Sequence, residues 1–175
     1  MMPNNAAEPA AGADPVVAAA ASGKVTLDTR FGVIEFDRAD AIRMPRGLLG
    51  YTEFREFGLS DLPNPGVSQF KLLQSLVEPT LSFVVAPFNI ECGAIEEDDL
   101  DGACRSLSIT VENLAIVLIV ATRKIGPETQ VSVNLRAPIF IDTLSQTGWQ
   151  FVLPKDRYPI RHVIMSEAAK AGQQG

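Results

Sequence analysis

Leu114-Ala115-Ile116-Val117-Leu118-Ile119-Val120-Ala121-Thr122 is the longest strongly apolar run in the chain. It is about half of the ~20 residues that a membrane-crossing helix needs. A short, β-branched run of this kind reads as a strand buried within a folded domain. No other stretch comes closer to a membrane span, so the chain is expected to have no membrane partner and to fold around a core.

The neighbouring sequence repeats this reading. Short β-prone runs occur at 70–76, 81–87, 107–111, 130–135, 139–143 and 149–153. Upstream, Val25-Thr26-Leu27-Asp28-Thr29 and Val33-Ile34-Glu35-Phe36 flank Arg30-Phe31-Gly32, which predicts a hairpin around a glycine-containing turn. Most prolines from Pro45 to Pro159 fall between the runs, where they end pairing without removing a ladder hydrogen bond. The fold class expected is all-β: a compact barrel-like or sandwich domain of many short antiparallel strands. One or two short helices complete it. One is expected at Ile95–Leu100, with acids at its start and Gly102 limiting its length. Thr52–Phe57 is expected to be a second helical or irregular piece.

A chain of 175 residues with 46% hydrophobic content supports one domain with its own core. Residues 1–23 are mostly Ala, Pro, Gly and Asn, with too little large apolar surface to offset the entropy of ordering. They are expected to be a disordered leader, residues 24–165 the folded domain and 166–175 a flexible tail. The leader contains no Lys or Arg, so it lacks the positive start of a secretory signal. Cys92 and Cys104 are too far apart for a CxxC pair and suit free thiols in a reducing cytosol. The expected location is the cytoplasm.

Catalysis requires convergent groups, and few are on offer. His162 is the single histidine, and no P-loop, GxGxxG or GxSxG motif occurs. The expectation is a protein that is not an enzyme and holds no cofactor or metal. The balance of 21 acids against 15 bases argues against direct binding of nucleic acid. That imbalance is local. Glu91, Glu96, Glu97, Asp98, Asp99 and Asp101 lie within eleven residues containing no base; without them, the remaining acids equal the bases in number. This segment is a candidate acidic patch for docking a basic protein. A solvated helix start is the plainer reading, and the layout does not match an EF-hand calcium loop.

Four sequence pieces, in order, resemble the flagellar assembly factor FliW family. They are Thr29-Arg30-Phe31-Gly32 followed by Ile34-Glu35-Phe36; Met44-Pro45-Arg46-Gly47-Leu48-Leu49-Gly50-Tyr51; Leu73-Gln74-Ser75-Leu76 leading through Pro79, Leu81, Phe83 and Val84 to Pro87-Phe88; and Asn134-Leu135-Arg136-Ala137-Pro138-Ile139 with Tyr158-Pro159-Ile160-Arg161-His162. Met44 and Tyr51 stand where the family often has Phe, and the Ala-rich leader is an addition to its short form. Physically the motif residues look like fold determinants. Gly32 serves a tight turn, Gly47 and Gly50 give a Pro-Gly loop its freedom, and Gln74 and Asn134 are placed to tie loops to backbone. The resemblance implies a cytoplasmic protein, expected to be a monomer, that binds flagellin and the translational regulator CsrA. It implies partner switching that links flagellin translation to filament assembly, acting on CsrA away from its RNA-contacting surface. The alternatives are a flagellin-only chaperone, or a small-ligand-binding or enzymatic β-barrel.

Overall fold

A computed structural model describes residues 23–168 apart from Lys155 and Arg157. The anticipated leader up to residue 22 and the end of the anticipated tail lie outside the described residues. Among the described residues, eleven strands and one α-helix follow in chain order: β1 Lys24–Thr29, β2 Gly32–Asp37, β3 Ile42–Arg43, β4 Glu56–Asp61, β5 Lys71–Ser75, β6 Ser82–Pro87, α1 Glu97–Leu107, β7 Leu114–Ile125, β8 Glu128–Val133, β9 Ile139–Asp142, β10 Thr147–Gln150 and β11 His162–Ala168. The class is all-β, as the apolar runs predict.

The main sheet closes on itself. Its neighbours run β7-β6-β5-β4-β3-β10-β9, and β9 pairs back to β7. Every contact in this ring is antiparallel except β3 with β10, which share the parallel pair Arg43 and Thr147. Closure removes free edges from these seven strands. β8 and β9 lie end to end along one edge of β7, joined where the Asn134 amide donates to the Ile119 carbonyl at 3.0 Å. Beyond the ring, the outer half of β7 continues with β8 and β11 as an exposed three-stranded ribbon.

β7 explains why its sequence is apolar without alternation. Val117 points into the barrel, where it joins Ile42, Met44, Phe57, Leu73, Val85, Ile139 and Ile141. Ile116 and Leu118 point outward and are covered by Leu100, Ala103 and Cys104 of α1, with Phe140 and Tyr158 beside them. A strand buried on both faces needs large side chains at successive positions. Met44, Phe57, Leu73, Val85 and Ile139 are wholly buried and fill the barrel interior.

Several sequence expectations give way here. The run 107–111 is not a strand: α1 extends to Leu107, Ser108 caps it in the left-handed conformation, and Val111–Asn113 forms a 3-10 turn. Gly102 does not stop the helix. Its penalty of ~1 kcal/mol is offset by burying Leu100, Ala103 and Cys104 on the barrel. Residues 52–55 are a turn and irregular chain, as one half of that expectation has it, and β4 starts at Glu56. Phe57 on the strand lies in the barrel core, with Phe54 from the irregular piece packed against that core. β3 and β11 carry no strong sequence signal, the first because it is two residues long and the second because it is exposed. β11 also runs through the first three positions of the anticipated tail.

The two thiols sit apart in character: Cys92 is exposed, whereas Cys104 is buried, and desolvation with the nearby Asp101 charge pushes its thiol pKa up. No helix among the described residues is long and apolar enough to cross a membrane.

Candidate functional site

The six acids of the candidate patch all fall at or just before the N-terminus of α1. Glu91 lies in a 3-10 turn whose cap, Asn89, accepts from the Glu91 amide at 3.0 Å. Gly93 then turns the chain through a left-handed conformation, φ +67°. Glu96 is the N-cap residue of α1, and Glu97, Asp98 and Asp99 form its first turn. Negative charge there is favoured by the helix dipole. Glu97 and Asp101 are four apart and share a helix face. Glu91, Glu96, Glu97, Asp98 and Asp101 are exposed.

Asp99 differs from the other five. It is only 9% exposed, and its carboxylate accepts a hydrogen bond from the Tyr158 hydroxyl. That hydroxyl in turn accepts from the Glu96 amide at 3.2 Å. Asp99 thus belongs to the attachment of the helix, and the solvent-facing patch consists of five residues instead of six. Sequence separation hides this, because the two partners are 59 positions apart.

Tyr158 is itself held. Arg136 donates through Nε to the Tyr158 carbonyl at 2.7 Å and through Nη2 to the Asp156 carbonyl at 3.0 Å. The Leu135 amide donates to the Pro159 carbonyl at 3.1 Å. Asn134 Oδ1 accepts from the amides of Arg136 and Ala137, at 3.0 and 3.1 Å, and so shapes the loop that carries Arg136. The Asn134–Ile139 and Tyr158–His162 sequence pieces therefore form one clamp, and that clamp anchors the start of α1. Arg136 and Tyr158 are positioning residues for the patch. Their presence in the family-like motifs was the signal; their role needed the fold.

Removing the Tyr158 hydroxyl tests the clamp. Tyr158→Phe is expected to lower the unfolding free energy by about 1–3 kcal/mol, since a buried carboxylate and an amide each lose a partner. Urea unfolding measures it, and an unchanged midpoint would rule the clamp out as a source of stability.

No group of three or more His, Cys, Asp or Glu among the described residues is arranged to hold a metal ion. His162 is exposed on β11, paired in register with Val133. Fold and site together define a small closed-barrel protein with a filled interior and a charged helix end on its outer surface.

Residues 26–164 match the model of the FliW protein family. The chain belongs to the FliW family. The flagellar assembly factor FliW of Desulfitobacterium hafniense (strain DSM 10664 / DCB-2) is 36% identical over 147 residues, covering 82% of this chain and 93% of that protein. The protein of the same name from Oceanobacillus iheyensis is 35% identical over 144 residues, covering 81% and 95%. A crystal structure of the flagellar assembly factor FliW superposes with a TM-score of 0.60 at 29% identity, covering 81% of this chain and 96% of that one.

Proposed function

We propose that this protein is a cytoplasmic flagellar assembly factor that binds flagellin and the translational regulator CsrA, exchanging one partner for the other so that flagellin synthesis follows filament assembly. Family membership supports the assembly role. The observation that carries the choice of surface is the exposed acidic start of α1, where Glu96, Glu97, Asp98 and Asp101 stand at a helix end fixed by the Arg136–Tyr158 clamp, with Glu91 on the turn before it. A rigid, strongly negative surface speeds encounter with a basic partner and makes its affinity depend on salt. The filled barrel interior argues against the reading as a small-ligand barrel, which needs a cavity.

The test is binding of the purified full chain to flagellin and to CsrA, each shown to be folded. Reversing Glu96, Glu97 and Asp98 to Lys, with Asp99 left in place, is expected to weaken CsrA binding about tenfold or more at low salt and to flatten its salt dependence. Neutralising the same three to Gln is the milder variant, which keeps the helix start free of positive charge. Unchanged affinity at low salt would make the patch a solvated face. Failure of the wild-type chain to bind either partner would remove the proposal as a whole.

A further inference from the structure

The β1–β2 hairpin is a sheet of its own. Its six register pairs, from Lys24 with Asp37 to Thr29 with Gly32, are all internal, and no barrel strand pairs with it. Its turn is also self-contained: the Thr29 hydroxyl donates to the Gly32 carbonyl at 2.8 Å and accepts from the Phe31 amide at 3.1 Å. The hairpin meets the barrel through a small cluster of Leu27, Phe36 and Leu76, separate from the two larger cores. The Phe36 ring sits in a notch left by Gly58, where a β-carbon would lie 2.3 Å from the ring.

The barrel face on which the Phe36 ring rests also carries polar groups. Gly58, Gln74 and Ser82 are successive register partners across β4, β5 and β6, so they share one outer face of the barrel. Gln74 Oε1 and Ser82 Oγ are buried there with no hydrogen-bond partner among the described residues. Two polar ties flank the hairpin, Arg30 Nη2 to the Ser82 carbonyl at 3.3 Å and Arg38 to Glu56 at 3.0 Å, and both are exposed. Exposed ties of this kind contribute little.

We propose that the hairpin is a lid that swings off the barrel as one unit while the barrel stays folded, uncovering the ring-sized notch at Gly58 and the Gln74 and Ser82 groups beside it. Opening breaks no ladder bond of the barrel and exposes only the smallest apolar cluster. It also admits water to two buried polar atoms, which offsets part of the lost burial. Once undocked, a two-stranded hairpin is marginal in water, so its amides then exchange.

Residue-resolved native-state hydrogen exchange on the full chain tests this. Amides of 25–36 are expected to exchange at least about tenfold faster than those of β5. Gly58→Ala should drive Phe36 from the notch and accelerate the hairpin further, leaving β5 unchanged. Equal rates for hairpin and β5 in the wild-type chain would overturn the lid, and that comparison needs no variant. Acceleration of every strand alike by Gly58→Ala, or of none, would also overturn it.

Discussion

Gly47→Val is expected to lower the unfolding free energy by about 2–5 kcal/mol. Two separate effects add. Gly47 has φ +63°, a conformation that costs a residue with a β-carbon about 1–2 kcal/mol. A β-carbon there would also lie 2.5 Å from the Tyr51 carbonyl oxygen and 2.6 Å from Thr52 Cα. Backbone cannot yield as a flexible side chain can, and forced repacking adds about 1–3 kcal/mol. The loop concerned is tight: the Gly47 amide donates to the Met44 carbonyl at 2.9 Å, and Leu48 and Tyr51 form an isolated bridge. Met44 and Leu48 at its root are buried in the barrel core, so displacement propagates inward. At ~2–4 °C per kcal/mol for a chain of this size, the melting temperature should fall by roughly 4–20 °C. Gly50 supplies the control. It too has positive φ, +84°, but no atom of the described residues lies within 4 Å of its β-carbon position. Gly47→Ala should therefore melt clearly below Gly50→Ala. Equal melting temperatures would show that backbone crowding at Gly47 is irrelevant.

Gln74→Leu should cost about 2–4 kcal/mol, because its amide nitrogen is the shared donor for a whole loop. Nε2 lies 3.0 Å from the Ser75 carbonyl oxygen, 3.2 Å from those of Glu78 and Pro79 and 3.0 Å from that of Leu81. One NH2 group has two hydrogens, so these four contacts are shared bonds. The side chain is fully buried, and leucine would leave the carbonyls facing an apolar group. Removal of Oε1, which has no partner among the described residues, recovers part of the loss, so the cost stays below a sum over four acceptors. Gln74→Glu is the sharper variant. It keeps the shape but sets a carboxylate against carbonyl oxygens, and should cost about 3–5 kcal/mol unless it is protonated. Urea midpoints measured at unchanged slope decide the matter. A leucine variant within ~0.5 kcal/mol of wild type would show that the loop is held by other means. Those other means exist: Ser75 Oγ accepts from the Val77 and Glu78 amides, and the Glu78 carboxylate accepts from Thr80. Hydrogen bonds from the Thr80 hydroxyl and amide lower the Glu78 pKa from its ordinary value. Its contribution is therefore complete above the unfolded pKa and is lost as pH falls through the lowered folded value.

The turn and tie residues were readable because their work is local. Gly32 closes a hairpin between residues adjacent in sequence, and Asn134 bonds amides two and three positions ahead. Gln74 reaches carbonyls within seven positions. The misreadings share the opposite character. Residues 107–111 are apolar enough for a strand, yet Leu107 ends a helix whose apolar face is satisfied by the barrel and not by a sheet neighbour. β3 exists because it bridges β4 and β10, and two residues carry no period of their own.

The acidic segment divides in the same way. Its charge and its place at a helix start are properties of consecutive residues, and the sequence alone determined them. So did the all-β class, because apolar runs of strand length separated by turn residues leave few other ways to bury a core. Tertiary structure decided the rest: that the strands close into a ring, that β7 is covered on both faces, and that Asp99 turns inward to Tyr158 while its five neighbours face solvent. Which of six carboxylates is buried depends on a hydroxyl brought from the far end of the chain. Only the completed fold sets that distance.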